Sequence, residues 1–115
     1  MTEEESFERA RRLTAHLPGV DITPHYGRPA LKVNGKAFAN LCREPGALAV
    51  HCPLELKEHL LEAQPDFYFD TDHFRGWHAI LVRMDAIDDD TLQARLESAW
   101  AAKAPKTLIK TLNGR

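Results

Sequence analysis

Apolar residues along this chain recur with two spacings, and the spacing predicts helix or strand in each segment. In three segments the apolar residues return every three or four positions, as they do on one face of a helix. Thr2 and Glu5 have the spacing of a capping box, Pro53 suits a first helical turn, and Asp88 lies in an acidic run at a helix start. The predicted helices are residues 3–17, 53–63 and about 90–103.

Shorter segments alternate apolar and polar residues or are apolar throughout, which predicts strands. These strands are residues 20–24, 30–33, 36–42, 47–52 and 77–84.

Asn34-Gly35 between two of these segments is the strongest short-range signal of a hairpin, because a two-residue type I′ turn needs positive φ at both positions. Around that turn Val33 should face Lys36, Lys32 should face Ala37, and Leu31 should face Phe38 in the core. Residues 47–52 should alternate, with Leu48, Val50 and Cys52 on one face. Pro24 limits residues 20–24 to a sheet edge or a bend.

The predicted order of elements is α-β-β-β-β-α-β-α, in which successive hairpins build an antiparallel sheet. Long amphipathic helices must then cover one face of that sheet. The sequence therefore predicts an α+β fold, a two-layer sandwich in one domain spanning residues 1–115. Residues 26–29 and 66–76 are expected to be loop, and residues 106–115 a short docked turn.

Composition points to an ordinary globular protein, with 43% hydrophobic and 28% charged residues. The sequence has no apolar run near the roughly 20 residues that a membrane-spanning helix needs. An acidic start, Met1 to Ser6, argues against an export signal. Two cysteines are too few for a secreted scaffold, and Cys42 and Cys52 should not face each other. We expect a cytoplasmic protein with reduced thiols.

Charge is distributed unevenly along a chain whose formal net charge is −2. Residues 24–43 contain four basic residues and no Asp or Glu, and Arg28, Lys32 and Lys36 lie on or beside the predicted hairpin. A second basic segment covers residues 103–115. Because a general nucleic-acid-binding protein is usually basic overall, any binding of anions here should be local.

The sequence shows no motif for catalysis. Neither Ser6 nor Ser98 lies in a nucleophile signature, and Cys42 has no helix N-terminus to activate it. The carboxylates and imidazoles between Asp70 and His78 lack the spacing of a metal site, and Asp88–Asp90 are explained by a helix start. We expect no enzyme activity, no cofactor and no resident metal.

An ordered set of features resembles the MmcQ/YjbR family over nearly the whole chain. No single feature is specific, and the order carries the resemblance. The features are Leu17-Pro18-Gly19 ending the first helix, the hairpin over 30–39, Cys52-Pro53 leading into a helix that ends at Ala63, an aromatic loop entering a Trp-headed strand over Phe67 to Val82, the acidic cap Asp88-Asp89-Asp90-Thr91-Leu92 of a helix containing Ser98, and Pro105-Lys106.

The resemblance implies a frataxin-like, or CyaY-like, fold. It also implies a small bacterial cytosolic protein with a DNA-binding "double wing", a description that rests largely on fold comparison. This chain departs from the commoner pattern at Asp70-Thr71-Asp72-His73, where acidic residues disfavour a second wing.

The resulting hypothesis is a monomeric, non-enzymatic protein that binds DNA and has no membrane partner. The residues expected to contact the DNA backbone are Arg28, Lys32, Lys36, Arg75 and Lys106, with Lys103 and Lys110 extending a secondary basic strip. The alternatives are a protein- or small-anion-binding domain without a nucleic-acid role, and a metal-binding frataxin-like module. For residues 73–78 two interpretations stay open: the segment stacks a base or binds an anion, or Trp77 heads a strand and packs into the core.

Overall fold

The computed structural model describes residues 2–25 and 27–113. The helices are α1 Glu3–Leu13, α2 Leu54–Ala63, α3 Asp89–Lys103 and α4 Lys106–Asn113. The strands are β1 Val20–His25, β2 Arg28–Val33, β3 Lys36–Leu41, β4 Ala47–His51, β5 Tyr68–Phe69 and β6 Ala79–Arg83. No helix among the described residues is both long enough and apolar enough to cross a bilayer.

Within the described residues six strands form one sheet in the order β1-β2-β3-β4-β6-β5, and every neighbouring pair is antiparallel. Helices α1 and α3 pack on each other and on the central strands. The main core lies between these two layers. The predicted α+β two-layer sandwich is therefore confirmed, and β1 lies at the sheet edge as Pro24 requires. Large side chains buried in this core include Leu31, Phe38, Leu48, Ile80, Leu92, Leu96 and Trp100.

The element boundaries differ from the predictions at several places. Helix α1 ends at Leu13 rather than residue 17, and the Thr14 hydroxyl donates to the carbonyl of Ala10 at 2.9 Å where the helix ends. Residues 28–29 belong to β2 instead of a loop, and Tyr26 lies outside the described residues. The predicted loop over 66–76 contains β5, and the tail forms the helix α4 rather than a turn.

The Asn34-Gly35 turn has the backbone that the sequence predicts, with φ of 53° at Asn34 and 75° at Gly35. The pairs Val33–Lys36 and Lys32–Ala37 are confirmed. The Leu31–Phe38 pair is wrong, because a register shift places Leu31 opposite Ala39. This irregularity lets the adjacent residues Phe38 and Ala39 both enter the main core, which strict alternation would forbid.

Strand β4 separates the two faces of the sheet as predicted. Leu48, Val50 and the adjoining Cys52 belong to the main core, whereas Ala49 belongs to a second cluster. Cys42 and Cys52 are both buried and both free.

A partly buried arginine connects α1 to the segment that leads into α3. The Arg9 guanidinium donates to the carbonyls of Met84 and Ile87 and to the carboxylate of Asp89, each at 2.7 Å. Its side chain is only 12% exposed. The hydrogen bond from Arg9 also holds the pKa of the Asp89 carboxyl below its ordinary value.

We predict that Arg9→Ala lowers the free energy of unfolding by about 3 kcal/mol, because two carbonyls lose a charged donor. Urea unfolding followed by circular dichroism measures this change. Arg12→Ala is the matched control, since Arg12 also faces Asp89, at 3.7 Å, but is 62% exposed. Equal effects of the two substitutions would contradict a specific role for Arg9.

Candidate functional site

The face of the sheet that α1 and α3 leave uncovered, here called the open face, carries a smaller apolar cluster. Its buried members are Cys42, Ala47, Ala49 and Leu81. Most of these side chains are small, so the strands form a shallow floor. Phe69 and Phe74, both partly buried, pack against the cluster.

Beside this cluster lies a groove of about 870 Å³, here called the sheet groove. That volume falls within the range of small-molecule sites, roughly 300–1,000 Å³. Strands β2, β3 and β4, the β3–β4 turn and the segment before β6 all contribute to its lining. The lining residues are Arg28, Asn40, Leu41, Cys42, Arg43, Glu44, Ala49, His51, His73, Phe74, Trp77, His78 and Ala79.

One part of the groove is formed by residues 70–78, here called the aromatic loop. The ring centroid of His73 lies 5.2 Å from that of Phe74 and 5.6 Å from that of Trp77. Trp77 is 51% exposed, so the interpretation in which it heads a strand and packs into the core is wrong. Strand β6 begins two residues later, at Ala79, because Gly76 at φ 80° turns the chain just before Trp77.

A buried lysine of α2 holds the aromatic loop. The Nζ atom of Lys57 donates to the carbonyls of Phe74 and Trp77, at 2.7 and 3.1 Å, and lies 3.3 Å from Oδ1 of Asp70. Lys57 is only 2% exposed. These three acceptors match the three hydrogens of an ammonium group, which makes this burial tolerable.

Two guanidinium groups lie at the groove. Arg28 reaches it from β2, and its nearest carboxylate is Glu3, with Nη1 and Oε1 3.3 Å apart and both side chains substantially exposed. Such an exposed pair is weak and exchangeable. Arg43, in the β3–β4 turn, is exposed and forms no ion pair within the described part of the chain. Both groups are therefore available to an anion.

Comparison with known proteins places the chain in a family. The model of the YjbR family matches residues 15–102. The chain belongs to the YjbR family. It is 38% identical over 87 residues to uncharacterized proteins Mb2600 of Mycobacterium bovis and Rv2570 of Mycobacterium tuberculosis, covering 72% of this chain and 67% of each relative.

The fold of this YjbR-family chain also resembles a solved structure. The crystal structure of Deinococcus radiodurans protein DR2400, a DUF419 domain, superposes with a TM-score of 0.70 at 19% identity. The superposition covers 98% of this chain and 89% of that one. At that identity the likeness is one of fold.

The five cations expected to contact DNA fall on different parts of the YjbR-family fold, and only Arg28 lines the groove. Lys32 leaves β2 on the same face as Arg28, and its Nζ donates to the carbonyl of Pro24 at 3.1 Å. Lys36 is exposed beside the hairpin turn. Arg75 pairs with Asp72 at 2.8 Å, and Lys106 is exposed at the start of α4.

The acidic groups considered as metal ligands have other roles in this structure. Asp70 lies against Lys57, and Asp72 pairs with Arg75. Asp88 accepts hydrogen bonds from the hydroxyl and the N–H of Thr91, at 2.7 and 2.9 Å, and these bonds lower the pKa of its carboxyl. The described residues contain no cluster of three potential metal ligands.

Sequence reasoning missed two residues that shape the site, Arg43 and Lys57. Arg43 ends the acid-free segment, and its position after the predicted hairpin gave no sign that it would line a groove. Lys57 lies three residues before Leu60 and so belongs to the inner stripe of α2, a helical spacing that could have predicted its burial.

We predict that Lys57→Met lowers the free energy of unfolding by about 3 kcal/mol, because it leaves two loop carbonyls and Asp70 without their buried cation. It should also change the near-ultraviolet circular dichroism of Trp77. Glu58→Gln on the exposed side of α2 is the control. A destabilisation no larger than that of the control would show that Lys57 does not hold the loop.

We predict that both thiols react slowly in the native protein. Burial raises the pKa of Cys42 and of Cys52, so a smaller fraction of each is the reactive thiolate at neutral pH. Alkylation by iodoacetamide at about pH 7.5, followed by mass spectrometry, should be several-fold slower than in urea and should accelerate as the pH rises. Equal native and denatured rates would contradict the burial of these thiols.

Proposed function

We propose that this YjbR-family chain is a non-enzymatic, cytoplasmic protein that binds DNA as a monomer through the tip of the β2–β3 hairpin. The observation that carries the proposal is the excess of positive charge at that tip. Residues 24–43 supply cations without any carboxylate, and a two-residue turn at Asn34-Gly35 presents them. Lysines at an exposed tip suit contacts to phosphate, which position a protein on DNA without reading its sequence.

The two hairpin lysines keep their charge uncompensated. Lys32 donates to a neutral carbonyl, and Lys36 has no ion-pair partner among the described residues. Arg28 and Arg75, by contrast, each face a carboxylate. In this proposal Lys32 and Lys36 supply the principal contacts, while Arg28, Arg75 and Lys106 supply weaker ones.

The acidic residues of the aromatic loop should repel DNA less than the sequence alone indicates. Asp70 faces Lys57 and Asp72 faces Arg75, so each carboxylate has a cation close by. The loop is therefore nearly neutral, and its repulsion of phosphate is local. Because a nearly neutral loop has no excess of cations to offer to phosphate, the proposal assigns the principal contacts to the hairpin alone.

We predict that Lys32→Glu combined with Lys36→Glu abolishes binding to a short DNA duplex. In the wild-type protein these two phosphate contacts should contribute about two units to the slope of log K against log salt concentration, measured between roughly 50 and 200 mM salt. Fluorescence anisotropy of a labelled duplex measures both quantities.

The matched control is Arg11→Glu combined with Arg12→Glu, which makes the same change in net charge on exposed positions of α1. Circular dichroism checks that both double variants fold. Duplex binding that survives the hairpin substitutions, or falls equally in the control, would overturn the proposal.

A further inference from the structure

Trp77 has a position that the fold itself does not explain. The residue is 51% exposed and lines the sheet groove, and its ring lies 5.6 Å from that of His73 at an interplanar angle of 33°. The second tryptophan, Trp100, is buried and donates its Nε1–H to the carbonyl of Pro18 at 3.1 Å. An indole that stays open beside other rings offers a stacking surface to a flat aromatic ligand.

This stacking surface is held in place before any ligand arrives. Lys57, whose side chain is buried, donates to the carbonyl of Trp77 itself and to that of Phe74. A loop that is already ordered loses less conformational entropy on binding, so more of the stacking energy appears as affinity.

The groove also offers groups for the polar part of a ligand. Arg28 and Arg43 line it together with one carboxylate, Glu44, and Arg28 also has an exposed ion pair with Glu3 that a phosphate would replace. Guanidinium groups bind phosphate in a bidentate manner. The Asn40 side chain donates its amide hydrogen to the carbonyl of Leu41 at 2.9 Å, which leaves Oδ1 as an acceptor for a ring N–H.

We propose that the sheet groove binds a nucleotide, with the base stacked on Trp77 and the phosphate held by Arg28 and Arg43. The volume of about 870 Å³ accommodates a ligand of this size. The floor of small side chains allows a flat ring to approach the strands closely. The nucleotide is either free or one unit of a single strand, because both carry the same base and phosphate.

This site shares Arg28 with the weaker contacts proposed for duplex binding, but the principal groups of the two sites are different. Lys32 and Lys36 do not line the groove, and neither Trp77 nor Arg43 belongs to the hairpin tip. The two proposals can therefore fail separately.

The test is a titration of the full chain with the four nucleoside 5′-monophosphates, followed by calorimetry and by tryptophan fluorescence. Binding should quench Trp77, while buried Trp100 supplies a constant background. Adenosine and inorganic phosphate, each half of the proposed ligand, should bind at least tenfold more weakly than AMP. An oligothymidylate of ten nucleotides distinguishes a single strand from a free nucleotide as the ligand. If it binds more tightly than every mononucleotide, the ligand is a single strand. If its binding is weaker or equal, the ligand is a free nucleotide.

Trp77→Ala and Arg43→Ala should each weaken nucleotide binding about tenfold, the loss expected for one stacked base or one charged contact. Arg12→Ala is the matched control, because Arg12 is an exposed arginine of α1 that lies outside the groove lining. Lys32→Glu with Lys36→Glu should leave nucleotide affinity unchanged. The proposal is overturned if folded protein shows neither heat nor quenching with millimolar nucleotide, or if the two groove variants bind as the control does.

Discussion

The buried ammonium of Lys57 is the interaction on which the open face depends. A sheet covered by helices on one face leaves its other face to solvent, and here the aromatic loop covers part of it. A buried cation must be surrounded by acceptors, and Lys57 takes them from Phe74, Trp77 and Asp70. The aromatic loop is thereby fixed to α2 rather than free to collapse onto the strands. The sheet groove exists because this loop is held where it is.

The two faces of the sheet are stabilised in different ways. The covered face relies on apolar packing, fastened at its margin by Arg9, whose donors reach two carbonyls and Asp89. The open face has a small cluster, and its order comes from the polar contacts of Lys57. The main core and the proposed binding site are thus separated in space, because the exposed groove residues Trp77 and Arg43 do not belong to the main core.

Local sequence signals predicted the layers and the turn but not the details that create the groove. Asn34-Gly35 specifies positive φ by its chemistry, and the stripe of α3 specifies a buried face, so both features follow from residues close together in sequence. The register shift that moves Leu31 opposite Ala39 follows from core packing between distant segments, which local alternation cannot show. Trp77 was ambiguous for the same reason: its exposure depends on Lys57, twenty residues earlier. The charge pattern alone identified Arg28, Lys32 and Lys36 as candidate DNA contacts. Only the fold shows that Arg28 faces a carboxylate, whereas Lys32 donates to a carbonyl.

The overall charge of the chain limits how it can meet an anion. With a formal net charge of −2, the protein as a whole does not attract a polyanion over long distances, so affinity must come from contacts at short range. The cations without ion pairs in the described chain include Lys36 at the hairpin tip and Arg43 at the groove, and β2 carries Arg28 and Lys32 on one face between these regions. Arg28 can bind a ligand only when its ion pair with Glu3, a residue in the first turn of α1, is broken. A phosphate that reaches Arg28 therefore has to displace Glu3, which is possible because an ion pair between two exposed side chains is weak.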